Sequence, residues 1–272
     1  MAARALAAGV LAGATSALAL RLLRDTPPGG EGLWDRTNHA GQTVTLLEGP
    51  AFVAGSALAA VPAGPGPVVA ALGAGALGAL DDLAGDARSK GLKGHLSALA
   101  SGEVTTGVVK ILGLGVAGVL SAALVDARRG ATVRDGGPTA FDTVVGGAVI
   151  AGAANLLNLL DLRPGRALKA AVIAGALTAA DPRAEVASGA AVGAAAALLG
   201  PDLAGETMLG DTGANSAGAL LGSAFVARSG RRGRLGALAV LSALTLASER
   251  VSFTKVIEAT PGLRELDALG RA

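Results

Sequence analysis

The chain has 272 residues, of which 51% are hydrophobic, 16% charged and 2% aromatic, and it contains 42 glycines and no cysteine. Soluble domains carry about 25% charged residues, so this composition excludes an ordinary water-soluble domain, and its apolar content excludes a disordered chain. A net charge of +2 favours no nucleic-acid partner, and the lack of cysteine rules out disulfides and thiolate metal ligands. The composition therefore predicts a polytopic helical membrane protein.

Long apolar runs follow one another along most of the sequence. A helix needs about 20 mostly apolar residues to cross a bilayer. The runs lie at about 2–23, 44–62, 66–81, 105–125, 140–160, 167–181, 184–200, 212–228 and 234–249. We therefore predict an all-α fold, a transmembrane bundle of about nine spanning helices, or eight because the sixth and seventh runs are short. Residues 1–272 form a single integral membrane domain in this interpretation, with a cytoplasmic tail from about residue 250.

Small residues recur at four-residue intervals in several of these runs. The pairs are Gly9 and Gly13, Gly189 and Gly193, and Gly218 and Gly222. In lipid, this spacing allows two helix backbones to approach closely. We therefore expect these glycines to lie at helix–helix contacts.

The orientation follows from the positive-inside rule. Lysines fall on or near the side that holds the loops 24–43, 82–104 and 161–169. We predict that this side is cytoplasmic and that the protein is a multi-pass protein of the cell membrane.

Polar residues interrupt the apolar sequence in three clusters, all on the predicted cytoplasmic side. They are Asp81-Asp82 after the third run, the series Asn155, Asn158 and Asp161 at the end of the fifth, and Asp211-Thr212 with Asn215 at the start of the eighth. Acidic side chains at membrane depth are costly and mark candidate sites. A helix start such as that at Asp211 favours phosphate, and nearby carboxylates favour Mg²⁺, so we expect a metal-bound diphosphate.

Each cluster also has a purely structural interpretation. Asp81-Asp82 is compatible with a solvated turn, and Asp211 or Thr212 with an ordinary helix cap. Asn155 and Asn158 are compatible with hydrogen bonds between helices.

The three motifs resemble those of the polyprenyl-phosphate N-acetylhexosamine-1-phosphate transferases, glycosyltransferase family 4. They read Gly78-Ala79-Leu80-Asp81-Asp82, Asn155-Leu156-Leu157-Asn158-Leu159-Leu160-Asp161 and Met208-Leu209-Gly210-Asp211-Thr212-Gly213-Ala214-Asn215. They occur in the family's order, and the resemblance spans about residues 20–250. It implies that a polyprenyl (undecaprenyl) phosphate attacks a UDP-sugar at the cytoplasmic face with Mg²⁺, or Mn²⁺ in its place, and that UMP is released in cell-envelope glycan synthesis.

The resemblance also implies roles for individual residues. Asp211 would be the principal metal ligand, and Asp81, Asp82 and Asp161 would be catalytic. The residues implied in substrate binding are Asn155, Asn158, Lys93, Arg163, Arg166, Thr212 and Asn215. Lys93 is equally compatible with contact to anionic lipid headgroups.

The sequence departs from the family pattern at two places. The family continues after the third acid with Gly-Leu-Asp-Gly, whereas Asp161 is followed by Leu162-Arg163-Pro164-Gly165-Arg166. Arg163 and Arg166 could bind a diphosphate or a carboxylated donor, because guanidinium groups bind such anions through paired hydrogen bonds, or they could be ordinary loop charges. The family's late histidine-rich loop has no counterpart.

These departures leave two alternatives beside the enzyme. One is a non-catalytic relative that binds polyprenyl phosphate or acts as a scaffold. The other is a transporter, which would require charges nearer the middle of the membrane. The expected partners are the lipid phosphate, the UDP-sugar and the membrane, and a homodimer is compatible with the sequence.

Overall fold

The structure is a computed structural model that describes residues 3–37, 41–84, 106–130 and 137–271. Lys93 lies outside these residues. Two short strands, β1 (Asp35–Thr37) and β2 (Thr43–Thr45), and a 3₁₀ turn (Val61–Ala63) accompany the helices. The helices are α1 (Ala3–Asp25), α2 (Glu31–Trp34), α3 (Glu48–Ala60), α4 (Pro65–Ala84), α5 (Thr106–Gly130), α6 (Ala140–Leu160), α7 (Arg166–Thr178), α8 (Glu185–Leu203), α9 (Gly210–Arg228), α10 (Arg231–Ser248), α11 (Phe253–Ala259) and α12 (Leu263–Ala268).

The all-α helical bundle is confirmed, whereas the count of nine spans is not. Within the described residues, five helices are long enough and apolar enough to cross a membrane: α1, α4, α5, α6 and α8. The bent pair α10 and α11, with an angle of 96°, would make a sixth. The second and sixth predicted runs contain only the 13-residue helices α3 and α7, each about 20 Å long.

Helix α9 lies in the centre of the bundle. It packs against α3, α4, α6 and α8, and most of its residues are buried. Its hydropathy is reduced by small polar residues such as Ser216 and Ser223, which are fully buried. Because protein rather than lipid surrounds this helix, it does not need an apolar surface.

Glycines allow the closest helix contacts, as the four-residue spacing predicted. A methyl group added to Gly193 would overlap the backbone carbonyl of Gly9, and one added to Gly189 would overlap that of Ala5, so α1 and α8 touch along their backbones. At Gly218 the added group would overlap the carbonyl of Ala153 on α6. All three predicted glycine pairs therefore lie at helix–helix contacts.

Local sequence signals determine where α6 begins and where it ends. The helix begins with a capping box, in which the Thr139 hydroxyl accepts a hydrogen bond from the Asp142 N–H at 3.3 Å and the Asp142 carboxylate accepts one from the Thr139 N–H at 2.9 Å. It ends at Leu160, shortly before Pro164, which cannot continue a helix. Asp161 is therefore held at the C-terminal cap of α6.

A short antiparallel ribbon lies beside the same end of the bundle. In this ribbon β1 pairs with β2, and Thr45 also bridges to Thr207 in the segment before α9. Trp34, just before β1, donates a hydrogen bond from its indole N–H to the carbonyl of Pro28 at 2.7 Å. The ribbon was not predicted from the sequence, because three-residue strands give too short a pattern to recognise.

Candidate functional site

The C-terminal end of α4 meets the N-terminal end of α9. Gly78 permits this contact, because a methyl group there would lie 2.6 Å from the Cα of Thr212 and would overlap the carbonyl of Asp211. Asp81 and Asp82 follow within one turn of Gly78, so their carboxylates lie at the first turn of α9. The structure thus brings together two clusters that are about 130 residues apart in the sequence.

Asp82 caps α9. Its carboxylate accepts hydrogen bonds from the backbone N–H groups of Asp211 at 3.0 Å and Thr212 at 2.9 Å, and from the Thr212 hydroxyl at 2.6 Å. The free N–H groups of a helix start, together with the helix dipole, favour an anion at this position. The anion position that the sequence suggested for phosphate is therefore occupied by a side chain of the protein itself.

Lys110 of α5 joins the two remaining carboxylates. Its ammonium group lies 3.2 Å from the Asp81 carboxylate and also forms an ion pair with Asp211. The Lys110 side chain is only 13% exposed. Lys110 was not predicted as a site residue from the sequence, although a lysine close to the start of an apolar run is itself a signal.

Arg36 of β1, in the antiparallel ribbon, contacts the C-terminal end of α4. It donates a hydrogen bond to the backbone carbonyl of Asp82 at 2.5 Å. This contact was also missed, because no sequence pattern indicates that the ribbon folds over the end of α4.

Asp161 completes the acidic end of the bundle from α6. It is 6% exposed, and one of its carboxylate oxygens has no hydrogen-bond partner. Burial, reinforced by the negative charge of Asp202, holds the pKa of Asp161 well above its usual range. Asp82 and Asp211 are close enough to act in the same direction. All three predicted clusters therefore contribute an acid to one end of the bundle.

The acidic side chains at this end of the bundle are few as ligands for a divalent cation. No group of three or more His, Cys, Asp or Glu side chains is arranged to hold a metal ion within the described part of the chain. Asp81 and Asp211, however, share one cationic partner, Lys110. Two carboxylates suit Mg²⁺ when water and substrate phosphates supply the other ligands. The pair fits such an ion, provided that the Lys110 ammonium moves aside.

The amide side chains of the motifs are placed differently from the acids. Asn155 donates a hydrogen bond to the Thr245 hydroxyl of α10 at 3.2 Å, which agrees with the structural interpretation of this residue. Asn158 is half-buried one turn before Asp161. Asn215 is fully buried, and both polar atoms of its amide lack a hydrogen-bond partner. None of these three is shown to contact the carboxylates at the end of α4.

The two arginines after Asp161 bind the C-terminal helices. Arg166 is 5% exposed and pairs with both carboxylate oxygens of Asp267, at 2.7 and 3.0 Å, and its third nitrogen donates to Thr254 at 2.9 Å. Arg163 pairs with Glu258 at 3.3 Å on the surface. Residues 253–268, predicted as a tail, thus fold back onto the start of α7.

A cavity of about 420 Å³ lies next to Asp161, between the end of α8 and the segment that precedes α9. Asp202, Thr207 and Arg163 also line it. The acidic end of the bundle is therefore accompanied by a pocket of small-molecule size.

As a whole, the sequence shows no detectable similarity to known families or curated proteins. No protein-family model matches it, and no curated protein is significantly similar to it.

Proposed function

We propose that this protein transfers a sugar-1-phosphate from a UDP-sugar to a polyprenyl phosphate at the cytoplasmic face of the cell membrane, with release of UMP. The observation that carries the proposal is the meeting of Asp81-Asp82, Asp161 and Asp211 at one end of an apolar bundle. Acids that are distant in sequence and costly at membrane depth gather there beside a pocket. Their order in the chain is that of the family which the motifs resemble.

The residues of the site have separable roles in this proposal. Asp81 and Asp211 would hold Mg²⁺, which would neutralise negative charge on the phosphate groups of the substrates. Asp82 fixes the start of α9, so that Asp211 keeps its position opposite Asp81. Lys110, released from the two carboxylates, would donate hydrogen bonds to a phosphate oxygen.

The proposal is tested with membranes that contain the protein. These are incubated with undecaprenyl phosphate, Mg²⁺ and a panel of UDP-sugars labelled in the sugar, and labelled lipid is measured. We expect transfer with at least one donor, reduced about 100-fold or more in both Asp211→Asn and Asp82→Asn. Asp25→Asn, an exposed acid at the end of α1, serves as the matched control and should keep full transfer. If correctly folded protein produced no labelled lipid with any donor, the proposed transferase activity would be refuted.

One observation favours a second candidate, a non-catalytic protein that binds a lipid phosphate. Lys110 already satisfies Asp81 and Asp211 without a metal ion. Such a protein would bind labelled undecaprenyl phosphate without turnover, and Asp211→Asn would leave that binding unchanged. The transfer assay and the binding measurement together therefore separate the two candidates.

A further inference from the structure

The end of the bundle opposite the acids carries many exposed arginines. Helix α5 runs from Lys110, beside the acids, to Arg128 near its other end, and α9 runs from Asp211 to Arg228. At about 1.5 Å per residue the two ends of the bundle are about 25 Å apart, close to the thickness of the hydrocarbon core of a bilayer. The exposed arginines at this far end form the arginine surface: Arg4, Arg128, Arg183, Arg228, Arg231 and Arg232.

The acids at the same end do not neutralise the arginine surface. Three of the described acids are buried there, at 5% to 7% exposure: Asp126, Asp142 and Glu185. Asp126 pairs at 2.8 Å with Arg234, which is itself 1% exposed and lies below the surface. Asp181 is half-buried and lies 3.8 Å from Arg228. Because none of the acids described at this end is exposed, the surface carries an excess of positive charge.

Half of the arginine surface has no ionic partner. Arg128, Arg183 and Arg232 form no ion pair with any residue that the structure describes, in contrast to the other three arginines. Arg183 also lies close enough to Arg129 for their positive charges to repel each other. Like charges held side by side are unfavourable unless an opposite charge lies near them. The arrangement therefore favours negative charge supplied from outside the chain.

The type and position of these residues indicate which anion that is. The basic residues described at this end are all arginines, and a guanidinium group binds phosphate through paired hydrogen bonds, whereas a lysine acts as a point charge. Arg4 lies in the first turn of α1 and Arg128 in the last turn of α5, and both helices are long enough to span a membrane. Arg183 shortly precedes α8, another such helix. Guanidinium groups at the ends of spanning helices lie at the level of the lipid phosphates.

We propose that the arginine surface binds the headgroups of anionic phospholipids, in the leaflet opposite the acids. A zwitterionic headgroup carries a cation beside its phosphate and leaves the excess positive charge uncompensated, whereas an anionic headgroup compensates it. Each basic residue near an anionic membrane surface strengthens the attraction about fivefold, so the exposed arginines should produce a clear lipid preference. The inference goes beyond the proposed function, because it concerns residues about 25 Å from the acids.

The test measures which lipids associate with the full-length protein in phosphatidylcholine vesicles. The probes are phosphatidylglycerol and phosphatidylcholine, each spin-labelled on an acyl chain, and electron paramagnetic resonance gives the fraction of each probe that the protein immobilises. We expect phosphatidylglycerol to associate about threefold or more strongly than phosphatidylcholine. The triple variant Arg128→Gln, Arg183→Gln and Arg232→Gln should lose most of this preference, because it removes three unpaired charges and breaks no ion pair.

A matched triple variant removes the same charge from the other end of the bundle. Arg21→Gln, Arg250→Gln and Lys255→Gln change exposed residues near the ends of α1 and α10 and on α11. Because the proposed lipid site lies at the far end, this control should keep the lipid preference of the wild type.

Three results would overturn the proposal. The first is equal association of the two probes with the wild type, and the second is an equal loss of preference in the two triple variants. The third is loss of the preference in millimolar inorganic phosphate but not in sodium chloride of equal ionic strength, because the arginines would then bind free phosphate. Arg128 packs against Gly64. If the triple variant fails to fold for this reason, the double variant Arg183→Gln and Arg232→Gln is judged by the same criteria.

Discussion

Lys110 of α5 forms an ion pair with Asp211 of α9, although 101 positions separate the two residues in the chain. The same ammonium group lies 3.2 Å from Asp81, so one cation serves two carboxylates from two other helices. This arrangement ties α4, α5 and α9 together at the end of the bundle where the acids gather. It also means that a metal ion and Lys110 would compete for the same two carboxylates.

The competition predicts how a variant without the lysine would behave. Lys110→Met leaves Asp81 and Asp211 facing each other without a cation, so we expect a loss of stability on the order of 2 kcal/mol, between the values for exposed and fully buried pairs. Mg²⁺ should restore much of this loss, and it should raise the Tm of the variant more than that of the wild type. The measurement is the Tm in detergent with and without Mg²⁺. Lys255→Met, at an exposed position on α11, is the control. Equal Mg²⁺ responses in the variant and the wild type would contradict the two-carboxylate site.

Asp82 should stabilise α9 in a way that depends on Thr212. Asp82→Ala removes three hydrogen bonds at the start of the helix, including that from the Thr212 hydroxyl at 2.6 Å, and we expect it to cost about 1–2 kcal/mol. Thr212→Val removes only the hydroxyl bond and should cost less. Because the two residues share this bond, the Tm losses in the double variant should be smaller than the sum of the single losses. Strict additivity would show that the hydroxyl contributes nothing to the cap.

Burial of Asp161 predicts a pH dependence of stability. Burial and then the charge of Asp202 raise its pKa in the folded protein, whereas in the unfolded chain it keeps its ordinary value of about 3.9. A raised pKa means that the stabilising contribution is complete below the ordinary value and is lost as the pH rises through the folded-state pKa. The Tm of Asp161→Asn minus that of the wild type should therefore increase as the pH rises above the ordinary pKa of an aspartate, about 3.9. Asn158→Ala changes the same end of α6 without removing an acid, and its difference should stay constant.

The acids of the site could be predicted from the sequence because they are so few. In a chain with 16% charged residues, Asp81-Asp82, Asp161 and Asp211 stand out at the ends of apolar runs. Lys110, Arg36 and Asp202 were not found, since each reaches the site through contacts that only the tertiary structure creates. The role of Asp82 as a helix cap was missed for the same reason, because its partners in α9 are about 130 residues away.

The helices could be predicted from apolar runs, but the number of spans could not. Each of the nine runs contains a helix, yet the length and composition of the helices that the structure describes support only five or six crossings. The difference arises at α3 and α7, which are too short, and at α9, which is surrounded by protein and carries buried serines. A run of small residues does not distinguish a helix that faces lipid from one enclosed by other helices.

The glycine contacts between α1 and α8 predict a position-specific effect. Gly193→Ala would place a methyl group against the carbonyl of Gly9 and force the two helices apart, at a cost of about 1–3 kcal/mol. Gly200→Ala lies in the same helix with nothing within 4 Å of the added group. It should be neutral or slightly stabilising, because alanine is the better helix former. Both effects are read from the Tm in detergent, and a similar Tm for the two variants would mean that the helices do not touch at Gly193.

The buried pair between Arg166 and Asp267 predicts how the C-terminal helices are held. Arg166→Gln removes the paired hydrogen bonds at 2.7 and 3.0 Å and leaves Asp267 without its main partner, so α11 and α12 should separate from α7. Limited proteolysis should then cut within residues 249–271 several times faster than in the wild type. Arg163→Gln breaks only the exposed pair with Glu258, where the side chains are 43% and 53% exposed, and such a pair contributes little. Equal cleavage rates in the two variants would show that Arg166 does not hold this segment. Faster cleavage in Arg166→Gln alone would establish that the C-terminal helices belong to the folded bundle.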